Sequence, residues 1–482
     1  MDAPGVYTER GQNPPRRSYP TSIATGFMVG VTKKGSTRKA IECRNLNEFI
    51  RKAGTRLSGS LLYDTAETFF REGGSLLYIG RIISNTAVRA KFIIQIAGVT
   101  WATVYASSGG LWGNDLKFDI EGNADDNAIR LIVKSGSRST VSPWLANAGE
   151  LAAWSTEDDN DITVEPGTAT GLPADATNRA LTGGADNASG MTDADRTKSL
   201  NLFPKEMGPG MVAAPGITSD AMRTALGAHG VATKRVVIHD LYDTDDAEEL
   251  LAQAEMARSV MDDESAKFSS CFAPWDKIPG VVKGLPRLVP PCGRIMGNLA
   301  YLINTGKTGN VAAAGDPRGV SRYAIGLTQS DWTATERAAL NEAGVNVSRE
   351  LVNGVTTMGW RTLAPIEDED WNDLGNARLF MQIQALSDAI GQKYVFEEID
   401  GERRVFGRLE GELKGMLLPF FTAGSLYGQT QSEAFVVDTT TPNTKDTIKA
   451  KEINSEIGLR MSEHGEVVKI VTSKTPNDEV LV

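Results

Sequence analysis

Cysteine and histidine are scarce in this chain of 482 residues, with only three of each. Cys43, Cys271 and Cys292 are odd in number and widely spaced, which excludes a disulfide framework and a Cys-x-x-Cys metal site and predicts folding in a reducing compartment. His229, His239 and His464 leave little raw material for a histidine-centred base or metal site. Positive charge is also in deficit. Lys and Arg number 50 against 61 Asp and Glu, a net charge of -11, and no basic stripe interleaved with aromatics occurs. A dedicated nucleic-acid binder is therefore not expected. Long apolar runs are missing: the richest, residues 92–106, is broken by Gln95 and too short to span a bilayer. The first residues include Asp2 and Glu9 and no apolar leader core, so neither a cleaved export signal nor membrane insertion is expected.

What is present describes a globular protein with many turns: 41% hydrophobic and 23% charged residues, 49 Gly and 20 Pro. The length suggests about three domains. Residues 1–20 read as an N-terminal arm and linker, in which the short extended piece Pro4, Gly5, Val6, Tyr7, Thr8 precedes a Gly/Asn/Pro/Arg stretch. Residues 21–85 read as the first part of an α/β core: a strand at 23–31, a helix capped by Asn45 with Glu48 three residues on and stopped by Gly54, a second helix up to Gly73-Gly74, and a strand at 76–82. Residues 86–190 alternate apolar and polar positions between Gly, Asn, Asp and Ser clusters, the mark of an inserted β-rich domain. Its second half, 156–190, is rich in Asp, Asn, Gly, Ala and Thr, has little to bury, and is expected to be an exposed loop or a domain boundary.

Strand and helix then alternate through an α/β domain at 191–365, which predicts a parallel or mixed sheet. A C-terminal core domain follows at 366–438, with an amphipathic helix marked by Leu379, Phe380, Ile383, Leu386 and Ile390. Residues 439–482 read as a C-terminal linker and a strand arm formed by Glu466, Val467, Val468, Lys469, Ile470 and Val471. The expected fold class is multidomain, mixed α/β, with a core built from N- and C-terminal parts, an inserted β-rich domain and extended arms at both ends.

Candidate chemistry is thin. Thr305-Gly306-Lys307-Thr308 has the Gly-Lys-Thr end of a phosphate-binding loop, but the glycine needed five residues before Gly306 is Tyr301, on a helical run. His239-Asp240 sits at a strand end, where active residues gather in open α/β sheets and where polar strand termini are also common. The acidic runs at 158–161, 243–246 and 367–370 lack calcium-loop spacing and read as solvated loops. Trp112, among glycines at 109–113, either packs under a tight turn or covers a sugar face. No catalytic residue, metal or cofactor is expected.

A resemblance is carried by landmarks in a shared order. Pro4-Gly5-Val6-Tyr7, Arg71-Glu72-Gly73-Gly74 with Leu77-Tyr78-Ile79-Gly80-Arg81, the Gly-x-Trp-Gly-Asn turn at 110–116, Pro290-Pro291-Cys292-Gly293, Asn346-Val347, Gly359-Trp360-Arg361-Thr362-Leu363, and Glu433 through Asn443-Thr444 together resemble the sheath proteins of contractile phage tails and related injection machines. The run at Trp360 lacks a family glycine before Arg361, Ala312-Ala313-Ala314-Gly315 only approximates the family's Ala-Pro-Ala-Gly, and His464-Gly465-Glu466 replaces its Pro-Ala-Glu.

The resemblance implies a structural protein, not an enzyme. It would polymerise as stacked hexameric rings around an inner tail tube and contract to drive that tube through a host envelope. Its partners would be itself, the tube protein, and baseplate and tail terminator proteins; its location would be the virion tail, assembled in the host cytoplasm. The arms would add strands to neighbouring subunits' sheets, with the linkers at 10–20 and 439–449 flexible enough to act as hinges. The region 403–418, carrying Arg403, Arg404, Arg408 and Lys414, would face the tube as a locally basic surface. The alternatives are another self-assembling virion component, or a glycan-binding or glycan-processing tail enzyme.

Overall fold

The computed structural model describes residues 22–466, except 124, 137, 157–159, 283 and 308. The first elements obey local rules. β1 (Gly26–Val31) is buried along nearly its whole length, as a strand covered on both faces must be. After β2 (Ile41–Cys43), the Asn45 side chain accepts the Glu48 amide at 2.9 Å and starts α1 (Leu46–Ala53), which stops at Gly54. α2 (Leu62–Glu72) ends on Gly73 at φ 109°, a left-handed cap that favours glycine, and leads into β3 (Leu77–Ile82).

The insertion then interrupts the body. It contains β4 (Lys91–Ile96), β5 (Val99–Ala106), β6 (Lys117–Asn123), β7 (Ala128–Ser135), β8 (Arg138–Val141), α3 (Ala148–Ser155), β9 (Ile162–Pro166) and β10 (Ala176–Ala180). Two antiparallel sheets, β4-β5-β9 and β10-β6-β7-β8, enclose a core of their own around Trp101, Phe118, Leu131 and Trp154. The half expected to be a loop supplies one strand to each sheet. Three apolar residues suffice there, because Ile162, Val164 and Leu181 fall at inward positions and Trp101 donates its indole N–H to the Gly171 carbonyl at 2.8 Å. Trp112 is buried and donates to the Gly109 carbonyl, so it packs under its turn and offers no sugar platform.

The body resumes with α4 (Asp193–Lys198), β11 (Gly210–Ala213), α5 (Asp220–Thr233), β12 (Arg235–Asp240), α6 (Ala247–Ser259), α7 (Asp263–Lys267), β13 (Ser269–Ala273), β14 (Asp276–Ile278), β15 (Arg287–Val289), α8 (Cys292–Asn304), β16 (Gly326–Leu327), α9 (Ala334–Glu342), β17 (Val345–Leu351) and β18 (Gly354–Thr357). Strands from before and after the insertion form one eight-stranded sheet, ordered β18-β17-β13-β12-β11-β1-β3-β2. Neighbours from β3 to β17 run parallel, and β2 and β18 are antiparallel edges. The segments at 21–85 and 191–365, on either side of the insertion, therefore share a single core sheet.

Alternate residues explain why both faces are covered. Met28, Ile79, Met211, Val236 and Ile238 meet one layer with Phe69 of α2 and Leu299 of α8. Phe27, Val29, Val212 and Val237 meet Phe203 and Met222 and Leu226 of α5 on the other. α2 and α8 approach closely: a Cβ on Gly293 would come within 2.5 Å of the Thr65 carbonyl, and one on Gly297 within 2.5 Å of that of Phe69. Glu72, fully buried at the end of α2, accepts from the amides of Arg322 (2.9 Å) and Tyr323 (3.1 Å) and from the Ser321 hydroxyl. This buried carboxylate holds the 321–323 loop to the body.

The C-terminal part contains α10 (Leu374–Gly391), α11 (Arg404–Thr422), α12 (Gln431–Ala434), β19 (Phe435–Asp438), α13 (Lys445–Lys449) and β20 (Glu456–Leu459). Leu379 and Ile383 of α10, Leu409 and Leu413 of α11, and Phe435 and Val437 of β19 share one core. Residues 439–449, expected to be a flexible linker, are folded into this unit. Asn443 is buried; its amide donates to the carbonyls of Thr439 (2.8 Å) and Asn454 (2.6 Å), and its side-chain oxygen accepts the Asn454 amide (2.8 Å). The polar composition of this segment suits a loop, and Asn443 brackets it against Asn454.

Candidate assembly interface

β19 and β20 form an antiparallel ribbon in the register Phe435 to Leu459 and Asp438 to Glu456. Two strands alone are marginal in water. Here Phe435 and Val437 anchor the ribbon on α11, whereas Val436 points outward, 59% exposed. Among the described residues, the sheet has no third strand. An open antiparallel edge presents backbone donors and acceptors to any extended segment that reaches it.

Just beyond β20 the chain first pairs with residues 425–427 of its own unit and then crosses the N-terminus of α10. The Arg460 carbonyl accepts the Tyr427 amide at 2.8 Å, and the Ser462 amide donates to the Ser425 carbonyl at 3.1 Å. Four side-chain contacts follow: Asn310 to the Ser462 carbonyl (3.3 Å), Asn376 to Glu463 (3.1 Å), His464 to Asp373 (2.7 Å), and Arg361 to Glu466 (2.7 Å). Residues 461–466 thus form a strap over the N-terminus of α10. Glu466, expected as the first residue of the arm, is tied to the body of its own chain. The remaining arm residues, Pro4, Gly5, Val6, Tyr7 and Thr8 at one end and Val467, Val468, Lys469, Ile470 and Val471 at the other, lie outside the described residues.

The strap escaped sequence reasoning because its anchors are scattered from residue 310 to 376. One signal was available: Asp373 before Leu374-Gly375 is a helix-capping pattern, and its carboxylate accepts the amides of Gly375 (2.6 Å) and Asn376 (3.0 Å).

The four basic residues do not form a bare cationic face. Arg403 caps α11 in a left-handed conformation and donates to the carbonyls of Thr440 (3.3 Å) and Asn443 (3.2 Å). Arg404 pairs with Glu402 and Asp400, Arg408 with Glu397 (2.6 Å), and Lys414 with Glu410 (2.5 Å). Acidic residues of the 397–412 stretch, absent from a count of cations alone, pair with Arg404, Arg408 and Lys414, while Arg403 is held by backbone carbonyls. The exposed apolar surface nearby is instead Val395 and Phe396, beside a groove of about 720 Å³ floored by Tyr394, Leu409, Leu413, Ile448 and Ile453.

The other sequence leads are structural. His239 is buried, its imidazole pushed down to about 3 chiefly by burial, and faces the Ser269 hydroxyl at 3.3 Å. Gly306 and Lys307 follow the C-terminus of α8, where carbonyl oxygens point outward, the wrong polarity for a phosphate. Among the described residues, no group of three or more His, Cys, Asp or Glu side chains is arranged to hold a metal, and no helix is long and apolar enough to cross a membrane.

No family model and no curated protein matches this sequence. Solved structures do. A sheath tail protein from Listeria innocua aligns with 88% of this chain and 90% of its own at a TM-score of 0.62 and 14% identity. The sheath of an extracellular contractile injection system, PVC, in its contracted state aligns with 98% of both chains at 0.56 and 14%. The chain has the contractile-sheath fold. The contracted helical sheath of the anti-feeding prophage gives the same result, 98% of this chain and 100% of that one at a TM-score of 0.55 and 16% identity. The sheath fold therefore spans the body, the insertion and the C-terminal unit together.

Proposed function

We propose that this protein is a structural sheath subunit that polymerises as stacked hexameric rings around an inner tail tube and contracts to drive the tube through a host envelope. The observation that carries the reading is end-to-end likeness: 98% of the chain aligns with nearly all of subunits that build contractile sheaths. The β19–β20 ribbon supplies a physical means, since an arm added to its edge would link one copy to the next in an open, head-to-tail array. In this reading the arms at Pro4–Thr8 and Val467–Val471 are the donors, and baseplate and terminator proteins close the ends of a tail assembled in the host cytoplasm.

α11 faces the tube in the same reading, with Arg403, Arg404, Arg408 and Lys414 as its contacts. Because Arg404, Arg408 and Lys414 are already paired, acidic tube residues would exchange with Asp400, Glu402, Glu397 and Glu410 instead of meeting free cations. Unchanged tube co-assembly and salt dependence after reversing Arg404 and Arg408 to Glu would remove that assignment.

Negative-stain imaging and sedimentation of the purified chain test the main proposal. Striated tubes or rings are expected from the intact protein, and folded monomers after deletion of residues 1–20 or 467–482. An intact chain that stays monomeric under every condition in which the deletions do so sinks it.

A further inference from the structure

Asp373 divides its two oxygens between different tasks. Oδ1 caps α10, and Oδ2 meets His464 Nδ1 at 2.7 Å from the strap. The fit is close: a Cβ on Gly375 would come within 2.7 Å of His464 Cε1 and 2.5 Å of the Asn310 carbonyl. Other charged groups surround the pair. Glu463 lies beside His464 on the strap, Arg378 is buried on α10, Asp370 precedes that helix and adds its field to Glu463, and the Arg361–Glu466 pair follows along the strap.

We propose that residues 461–466 act as an acid-fastened strap, in which protonated His464 bridging to Asp373 seats the root of the C-terminal segment on the body and loss of that proton loosens the seat. The hydrogen bond to Asp373 holds the imidazole above its ordinary value; burial and Arg378 oppose this, and Glu463 supports it. His464 therefore binds its proton more tightly when seated than when loose. The stabilisation is fully present below the ordinary imidazole range and is lost as pH rises through the raised value. Neutral histidine keeps one ring N–H, and the contact of Asn310 with the Ser462 carbonyl holds no titratable group, so the change is a loosening of the strap and not its complete detachment. The device belongs to the single chain and stands independently of assembly.

Hydrogen exchange of the full chain at pH 6 and pH 9, corrected for intrinsic rates, tests it. The amides of residues 462–466 are expected to be several-fold better protected at pH 6, and His464→Gln to abolish the difference. A native chain with no pH difference, or a difference that survives His464→Gln, overturns the proposal. Loss of protection in the variant equally at both pH values, with none in the native chain, assigns His464 a merely structural role and also overturns it. If His464→Gln fails to fold, proton NMR titration of the native chain decides. The His464 ring must titrate above the ordinary value, and titration at or below it counts against the strap.

Discussion

Arg294 of α8 and Asp276 of β14 form an ion pair sealed from solvent at both ends, with Nε 3.0 and 2.9 Å from the two carboxylate oxygens. The same guanidinium donates to the hydroxyls of Thr357 on β18 (2.6 Å) and Ser348 on β17 (2.7 Å), so one side chain ties a helix to three strands. Burial pushes Asp276 up to about 6, and Arg294 limits that rise. Arg294→Met strands a buried carboxylate and is expected to destabilise the body by about 3–5 kcal/mol in urea unfolding. Adding Asp276→Leu should recover part of the loss, because an apolar pair removes the desolvation cost that one charge cannot offset. A double variant no more stable than the single one would show that the hydroxyl contacts dominate.

Neighbouring residues at the end of β12 oppose each other in pH dependence. Burial holds His239 down at about 3, so between pH 6.5 and 3 the unfolded chain binds the extra proton and acid destabilises. Burial raises Asp240 to about 7, so between pH 3.8 and 7 the folded chain binds the extra proton and acid stabilises. The two slopes partly cancel over the shared window. Asp240→Asn removes one of them, and stability should then fall more steeply from pH 7 to pH 4, by on the order of a few kcal/mol relative to the native chain. Denaturant midpoints across that range check it; parallel curves for the two proteins would refute it.

Asn346 is buried between β13 and the Trp360 run. Its amide donates to the carbonyls of Cys271 (3.0 Å) and Arg361 (2.8 Å), and its oxygen accepts the Arg361 amide (2.6 Å). At about 1 kcal/mol per bond, and more where a buried group is left unpaired, Asn346→Ala should cost about 3 kcal/mol. Asn346→Asp preserves the shape but replaces the donor with an acceptor facing two carbonyls, and should be at least as damaging. Thermal unfolding of both variants provides the measurement.

Much of the fold was legible because its signals are local. Asn45 with Glu48 starts a helix where their spacing says it should. The parallel strands are apolar enough to stand out, and the resemblance rested on residues that now have physical roles: Glu72 as a buried loop anchor, Asn346 as a three-bond bracket, and Asn443 as a loop closure. What escaped was long-range. The ribbon joins residues about twenty apart through a polar loop, the strap reaches anchors up to 152 positions away, and Arg404, Arg408 and Lys414 are paired with acids that a count of cations alone leaves out. Short strands such as β14 and β16 owe their existence to pairing, not to propensity.

The ribbon offers a way to separate assembly from folding. Val436 is exposed on the single chain, so Val436→Lys should change monomer stability by no more than about 0.5 kcal/mol. If an added strand comes to lie beside β19, its side chains pack against their cross-strand neighbours, and each such pair is worth roughly 0.2–1 kcal/mol. Repeated once per subunit through a polymer, a loss of that size should raise the protein concentration needed for assembly several-fold. Val352, fully exposed in the turn between β17 and β18, provides the control, since Val352→Lys adds the same charge away from the ribbon. Sedimentation across a concentration series should shift for Val436→Lys and not for Val352→Lys. Equal shifts would trace the effect to net charge, and no shift for either would remove the outer face of β19 from the interface.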